Sequence, residues 1–359
     1  MTKKIIFSTG GTGGHIFPAI NLMKYFSQNG YEVLLITDKK GDFFLKKNSE
    51  FKSAIISAKS PINKSFAKKI LSYVIIFYSI LKSILILRRE KPILVFGFGG
   101  YVSFPICFAS RFFKAPLVIY ENNLVLGRAN KRLLPISKKL LIGTEIPINL
   151  PQKYKKITYY VGNILREEII NQKILEKKYK ENFFSLLVLG GSQGAEIFGE
   201  IIPSVIKMLK DQGYEIEINQ QCLHEQKKPI TSFYNKNKIK NNIFEFSENV
   251  LNFILSADLA ISRGGASTTA ELVQTQTPFI VVPFPHAMDN HQYLNAKYYS
   301  DKGCCWIIEQ HDFSVINLFN LIVEIIKDRQ KLKFARENMK KNDYRDVYNK
   351  IDKVIKEII

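Results

Sequence analysis

Cysteine is scarce: four residues in 359, at 107, 222, 304 and 305, without Cys-x-x-Cys spacing. Vicinal Cys304 and Cys305 cannot bond each other without strain, and four cysteines in so long a chain build no disulfide framework. A reducing compartment is therefore expected. Metal-ligand spacing is also missing, since His286 and His291 lie five apart with one acid between them and read as loop residues. The start, Met1-Thr2-Lys3-Lys4, runs into a short strand rather than a signal-peptide apolar core, so export is not expected and a cytoplasmic protein is. Low-complexity tracts and short-period repeats are absent. Acidic residues are few as well, 32 against 52 basic, for a formal net charge of +20. Such an excess implies an anionic partner, whether nucleic acid, phosphorylated metabolite or acidic membrane surface. Much of the lysine lies scattered among Asn and Ile, as at Lys236, Lys238 and Lys240, so charge alone does not choose between them.

What is present is alternation. Apolar runs of strand length alternate with amphipathic stretches almost throughout, the pattern of doubly wound α/β domains. Candidate strands in the first half are 4–8, 32–37, 53–57, 93–96, 117–120 and 139–142, punctuated by Pro92, Gly97, Gly99-Gly100 and Pro116. The length favours two domains. The pattern pauses near Val161-Gly162-Asn163 and then restarts, which predicts domains over 1–162 and 163–340. Residues 341–359 read as a charged helix packing across the boundary.

Three glycine turns follow strands. Ile5-Ile6-Phe7 leads into Thr9-Gly10-Gly11-Thr12-Gly13-Gly14-His15 and a helix. The glycines let backbone N–H groups approach an anion, the helix start adds a positive dipole end, and His15 brings a titratable group. This combination suits group transfer on a phosphorylated substrate. It is not a Walker A loop, because no Gly-Lys-Ser/Thr follows, and read as a dinucleotide fingerprint it has Ile16 where the third glycine belongs. Asp38 imitates the ribose-binding acid of that fingerprint, which keeps an NAD enzyme as an alternative. Gly190-Gly191-Ser192-Gln193-Gly194 and Arg263-Gly264-Gly265-Ala266-Ser267-Thr268-Thr269 repeat the strand–turn–helix design in the second half. The hydroxyls of the latter can cap a helix and donate to phosphate or ribose. Matching turns in both halves predict two Rossmann-like domains whose strand C-termini face one cleft.

Between Lys68-Lys69 and Arg88-Arg89 lie eighteen residues, just enough to span a bilayer. Lys82 interrupts the run, and Ser72, Ser79, Lys82 and Ser83 form a partly polar stripe on a helical wheel. A core helix, a helix lying on a membrane and a spanning helix all remain open at this point. Basic ends around an apolar middle suit anionic lipid.

The ordered set Thr9 to His15, Phe98-Gly99-Gly100-Tyr101-Val102-Ser103, Tyr120-Glu121-Asn122-Asn123, Val161-Gly162-Asn163, Gly190 to Ala195, Arg263 to Glu271 and His286 to Gln292 resembles the MurG family of peptidoglycan glycosyltransferases. The resemblance runs from about residue 4 to 340. It implies a GT-B architecture and transfer of N-acetylglucosamine from UDP-N-acetylglucosamine to lipid I, giving lipid II, on the cytoplasmic face of the inner membrane. It further implies that Ser192 contacts phosphate, that Arg166 and Asn123 bind the donor, and that Glu271 accepts from the ribose hydroxyls. Ala266, Ser267, Thr268, Thr269 and Ala270 would surround the nucleotide, Gln292 would meet a sugar hydroxyl, and Thr12, Gly13 and Gly14 would serve the acceptor side. The implied chemistry is one inverting displacement assisted by a general base, for which His15 is the first candidate and Glu121 the second. With no Asp-x-Asp motif, transfer without metal or cofactor is expected, the leaving charge falling to helix ends and Arg166. A lipid-linked acceptor also favours peripheral docking through residues 66–89.

Several positions depart from the family's usual pattern, among them Tyr120-Glu121-Asn122-Asn123 where His-Glu-Gln-Asn is usual. Ile164 replaces a proline, Tyr120 a histidine, Ser247 an isoleucine beside the uracil, and Gly264 a serine. A transferase of the same architecture acting on diacylglycerol is the nearest rival, and a nucleotide-sugar epimerase another. A basic nucleic-acid-binding protein is disfavoured, because no basic run interleaves with stacking aromatics.

Overall fold

The computed structural model describes all residues except 1–2, 12, 49–50, 59–64, 175–176, 178, 180–182, 192–193 and 248. The chain divides into two compact units, residues 1–167 with 344–359, and residues 168–343. The first division thus falls five residues beyond the pause at 162.

The first unit runs β1 (Lys4–Ser8), α1 (Gly13–Gln28), β2 (Glu32–Thr37), α2 (Lys39–Asn48), β3 (Ser53–Ile55), α3 (Phe66–Glu90), β4 (Leu94–Gly97), α4 (Phe104–Ala109), β5 (Leu117–Glu121), α5 (Arg128–Leu133), β6 (Lys139–Ile142) and β7 (Thr158–Tyr160). Its strands lie in the order β3-β2-β1-β4-β5-β6-β7, each pair parallel. A parallel sheet covered on both faces needs continuous apolar strands rather than alternating ones. Ile5, Ile6 and Phe7 meet that need, and Phe7 stacks on Phe96 with centroids 5.8 Å apart. The winding reverses between β1 and β4, opening a crevice at their C-terminal ends.

The helix α3 is built inside out. Ser79 and Ser83 are 2% and 0% exposed, whereas Tyr78 and Leu85 are 69% and 67% exposed. Small hydroxyl side chains let the helix seat closely, and each finds an acceptor: Ser72 donates to the Lys68 carbonyl, Ser83 to that of Ser79, and Ser79 to that of Ser57. Lys82 reaches the Ile55 carbonyl at 2.8 Å. The serines of the polar stripe are therefore on the seated side, and many of the large apolar residues face outward, while Ile86 and Leu87 are buried at the C-terminal end. By length and composition α3 could cross a membrane, yet these bonds tie one side of it to the first unit.

A short helix, α6 (Glu167–Ile170), precedes the second sheet. The second unit continues with β8 (Phe183–Leu189), α7 (Glu196–Asp211), β9 (Glu215–Gln221), α8 (His224–Lys236), β10 (Lys240–Phe244), α9 (Val250–Ser256), β11 (Leu259–Ser262), α10 (Ala266–Gln274), β12 (Phe279–Val281), α11 (His291–Ser300), β13 (Cys305–Ile307), α12 (Val315–Lys327) and α13 (Gln330–Lys340). Its parallel order is β10-β9-β8-β11-β12-β13, so the reversal recurs between β8 and β11. Here α7 and α12 bury their apolar faces in the ordinary way, through Phe198, Ile202 and Val205 on one and Leu318, Ile322 and Ile325 on the other. Asp258 fastens the entry to β11 by accepting from the Ser185 amide at 2.8 Å while paired with Lys177 at 3.1 Å.

The last helix, α14 (Val347–Lys356), is part of the first unit. Tyr348 stacks on Tyr25 of α1 at 4.9 Å, and Lys139 of β6 approaches Glu357 at 3.4 Å. Residues 344–359, within the stretch 341–359 read as a charged terminal helix, are grouped with the first unit.

Candidate active site

In the first unit, two glycine turns meet where the winding reverses. Gly99 and Gly100 hold φ of +86° and +78°, which favours glycine, and a Cβ on Gly100 would come within 3.4 Å of the Gly10 nitrogen. On the other side, a Cβ on Gly11 would fall 2.6 Å from the Gly41 nitrogen. That amide already donates to Asp38 Oδ1 at 2.8 Å, an Asx cap over the start of α2. Asp38 is thus occupied in a turn, and the ribose role that kept an NAD enzyme open is withdrawn.

His15 stands half-buried in the first turn of α1. A Cβ at Gly99 would lie 3.4 Å from His15 Nε2 and 3.3 Å from Asn130 Nδ2, so both side chains converge on that glycine. Gly13 is buried and Gly14 exposed, and the Gly14 carbonyl accepts from Asn122 Nδ2 at 2.8 Å. Thr12 lies outside the described residues.

Glu121, at the end of β5, is only 2% exposed. Its Oε1 accepts from the Asn123 backbone at 3.2 Å and from Asn123 Nδ2 at 2.9 Å. Its Oε2 accepts from the Gly127 amide at 2.8 Å and Asn130 Nδ2 at 3.0 Å. Four N–H donors on one carboxylate occupy the lone pairs a base would use. This geometry has Glu121, the second base candidate, bracing the segments that follow β5. Asn130, which sequence reasoning passed over, also donates to the Tyr120 carbonyl at 3.2 Å. The signal was available, as a lone Asn on a short helix directly after the Glu-Asn-Asn turn.

Tyr120, standing where the family usually has histidine, is fully used by its own unit. Its hydroxyl donates to the Gly162 carbonyl at 3.2 Å and accepts from the Ile164 amide at 3.0 Å. Burial pushes its phenol well above the usual tyrosine range. Arg166 follows two residues after Ile164 and is half-buried.

The second unit presents hydroxyls and amides at its own reversal. Gly191 and Gly194 take φ of +79° and +73° after β8, and a Cβ on Gly194 would strike Leu223 at 2.3 Å. Ser192, between them, lies outside the described residues. After β11, α10 starts at Ala266 with its positive dipole end toward the same edge of the sheet. Helical periodicity then sorts the family's nucleotide residues. Ser267, Thr268 and Glu271 are half-exposed, while Ala266, Thr269 and Ala270 are buried. The Thr269 hydroxyl donates back to the Gly265 and Ala266 carbonyls, both at 3.1 Å. Buried Ala266, Thr269 and Ala270 therefore have backbone rather than side chains to offer a ligand, the kind of contact the resemblance implies for this stretch.

Gln292 opens α11, and its Oε1 accepts from the Phe284 amide at 3.0 Å, which turns its NH₂ group away from that bond as a donor. Gly264 has no room for the family's serine without movement, because a Cβ would lie 2.2 Å from the Gln292 carbonyl. Asn295 also fixes this turn, donating to the Gly264 carbonyl at 3.2 Å. Arg263 sits over the rings of Phe198 and Phe284 at 5.0 and 5.6 Å and donates to the Val282 carbonyl at 3.0 Å, and burial lowers its guanidinium from the ordinary value. It braces the turn. Ser247 accepts from the Asn249 amide at 3.1 Å.

Comparison with known proteins fits this two-unit plan. Residues 5–142 match the glycosyltransferase family 28 N-terminal domain and residues 185–353 the glycosyltransferase family 28 C-terminal domain. A protein of Pelagibacter ubique is 33% identical over 100% of this chain and 99% of its own length. One from Rickettsia felis is 37% identical over 94% of this chain and 95% of its own. Both are named UDP-N-acetylglucosamine–N-acetylmuramyl-(pentapeptide) pyrophosphoryl-undecaprenol N-acetylglucosamine transferase. Among solved structures, Acinetobacter baumannii MurG superposes with a TM-score of 0.79 at 24% identity, covering 99% of both chains. The Staphylococcus aureus MnaA–UDP structure reaches 0.70 at 15% identity over 100% of this chain and 98% of that one. At 33–37% identity over nearly their whole length to relatives so named, the chain belongs to glycosyltransferase family 28 and, within it, to the MurG family of hexosyltransferases.

Proposed function

We propose that the protein transfers N-acetylglucosamine from UDP-N-acetylglucosamine to lipid I, forming lipid II. The observation that carries this reading is the near-full-length identity to transferases bearing that name. The division of chemistry between the two turn systems supports it. The acceptor sugar hydroxyl attacks the anomeric carbon as the bond to UDP breaks, and UDP departs with the electron pair. His15 Nε2 takes the hydroxyl proton, whereas the Glu121 lone pairs are engaged by four N–H donors. Glu121 holds Asn123 and Asn130 in place around it. On the donor side, Glu271 accepts from the ribose hydroxyls, Gln292 donates to a sugar oxygen, and Ser267 and Thr268 line the nucleotide. Ser192, the start of α10 and Arg166 receive the pyrophosphate charge.

Peripheral membrane docking belongs to the same proposal. An exposed apolar row on α3, including Phe66, Ile70, Val74, Phe77 and Leu85, is flanked by Lys68-Lys69 and Arg88-Arg89. Contiguous outward apolar surface of this kind marks an interaction site, and its basic ends suit anionic lipid at the cytoplasmic face. Transfer of labelled N-acetylglucosamine to a lipid I analogue, with diacylglycerol as the competing acceptor, tests the reading. Product with lipid I alone supports it; product with diacylglycerol, or UDP-N-acetylglucosamine consumed with no acceptor, overturns it.

A further inference from the structure

The five residues before Arg166 are held by three tyrosines that no part of the proposed chemistry uses. Tyr120, from β5, grips the segment twice, through the Gly162 carbonyl at 3.2 Å and the Ile164 amide at 3.0 Å. Tyr348, from α14, donates to the Leu165 carbonyl at 2.6 Å. Tyr344 lies against Gly162, whose φ of +99° and missing Cβ make room for the ring; a Cβ there would sit 3.1 Å from Tyr344 Cδ1. Space for the Tyr120 hydroxyl is likewise reserved, because a Cβ on Gly143 would come within 2.9 Å of it. All three rings are buried, and burial pushes the phenols of Tyr120 and Tyr348 above their ordinary range, so they act as neutral hydrogen-bonding groups.

The geometry points to Tyr120 and Tyr348 as positioning residues for Arg166. A peptide group is planar, so fixing the Leu165 carbonyl also fixes the nitrogen of residue 166. With the Ile164 amide and the Gly162 carbonyl pinned as well, the backbone delivers Arg166 in one orientation. A guanidinium presented this way loses less freedom on meeting a diphosphate, which improves affinity through preorganisation. Ile164, where the family usually has proline, sharpens the argument. The amide that proline lacks is the one Tyr120 accepts from, so a hydrogen bond replaces the stiffness of a ring. The Tyr120 and Ile164 departures thus form one compensating pair.

This inference rests on Arg166 binding the diphosphate, and the test separates the two ideas. UDP itself is titrated calorimetrically into the full chain as Tyr348→Phe, Tyr120→Phe, Arg166→Ala and the Tyr348→Phe/Arg166→Ala double variant. Tyr348→Phe is expected to weaken UDP about fivefold, the loss of one hydrogen bond's worth of ordering, and Tyr120→Phe, which removes two bonds, at least as much. The KM for the acceptor should stay unchanged. Arg166→Ala should weaken UDP at least as much, and in its background Tyr348→Phe should add nothing, because the path through Arg166 is already cut. A Tyr348→Phe effect that persists undiminished without Arg166 overturns the positioning role. So does an unchanged UDP affinity in both phenylalanine variants while Arg166→Ala weakens it. An Arg166→Ala protein that binds UDP normally overturns instead the role of Arg166 on which the inference stands. Tyr348→Phe removes only a hydroxyl near the end of the chain, so the cycle remains available even if Tyr120→Phe fails to fold.

Discussion

The two units repeat one winding, yet their crevices hold different chemistry. Each sheet reverses between its first and fourth strands, and each places glycine turns at that reversal. The first crevice holds a histidine and a buried carboxylate whose four bonds come from Asn123, Gly127 and Asn130 of its own unit. The second holds hydroxyls, an amide and one half-exposed carboxylate, Glu271, on the open side of α10. The shared topology supplies an edge where backbone N–H groups and helix starts collect. Side chains on that edge then decide whether it moves a proton or grips a nucleotide.

The sharpest way to break this contrast is His15→Ala. If the first unit carries the base, kcat should fall about 10²–10⁴-fold, while UDP affinity, which His15 does not govern, stays within about twofold. Labelled-sugar transfer and UDP titration measure the two effects separately, and normal turnover would remove His15 as base. Glu271→Ala is the mirror experiment. Loss of charged hydrogen bonds to the ribose should raise the KM for UDP-N-acetylglucosamine about 10–100-fold, with the acceptor KM unmoved. A 2′,3′-dideoxyribose donor should be nearly blind to the substitution, and equal losses with both donors would remove the ribose contact.

Two helices sharpen the comparison further, because α7 buries its apolar face and α3 exposes it. Leu85→Glu should cut binding to anionic vesicles by about 10–100-fold with the Tm unchanged, given the transfer energy of one leucine side chain. Ser79→Leu should do the reverse, destabilising the fold by about 1–3 kcal/mol through overpacking while sparing vesicle binding in the folded fraction. Denaturant melts beside flotation assays read both. Glu121→Gln should cost about 1–3 kcal/mol, since an amide cannot accept on both sides and leaves buried donors unpaired. Stability unchanged in that variant would contradict the bracing role.

The smallest effect concerns pH. The hydrogen bond from Lys4, at 2.7 Å, holds the Glu90 carboxyl below its ordinary value. A depressed carboxylate contributes its stability above the unfolded-state value and loses it as pH falls through the folded-state one. Acid titration of the Tm should therefore lose about 0.5–1 kcal/mol at the end of α3, and Glu90→Gln should flatten that loss. An identical acid limb in both proteins would remove the pair from the account.

Much of the fold was legible because buried parallel strands need unbroken apolar runs. The expected strands at 4–8, 32–37 and 139–142 coincide with β1, β2 and β6. The resemblance likewise located the crevice turns, since glycines at left-handed positions cannot be replaced freely. Side-chain employment was not legible. Asp38 resembles a ribose ligand in sequence and caps α2 in space; Thr269 resembles a phosphate donor and bonds backwards into its own helix. Such outcomes depend on which neighbour arrives within 3 Å, and spacing along the chain does not report that.

By itself the sequence determined two α/β domains, glycine turns after the strands, a histidine at the first of them and a long helix with one polar stripe. Local conformational preference and strand-period hydrophobicity suffice for all of these. Only tertiary structure decided that the stripe on α3 points inward, because packing against Ser57 and Ile55 rewards small hydroxyls over bulk. Only tertiary structure assigned residues 344–359 to the first unit, and with them Tyr348 to the segment before Arg166. A contact spanning 183 positions has no local signature, since it exists only once both ends are folded against the same sheet.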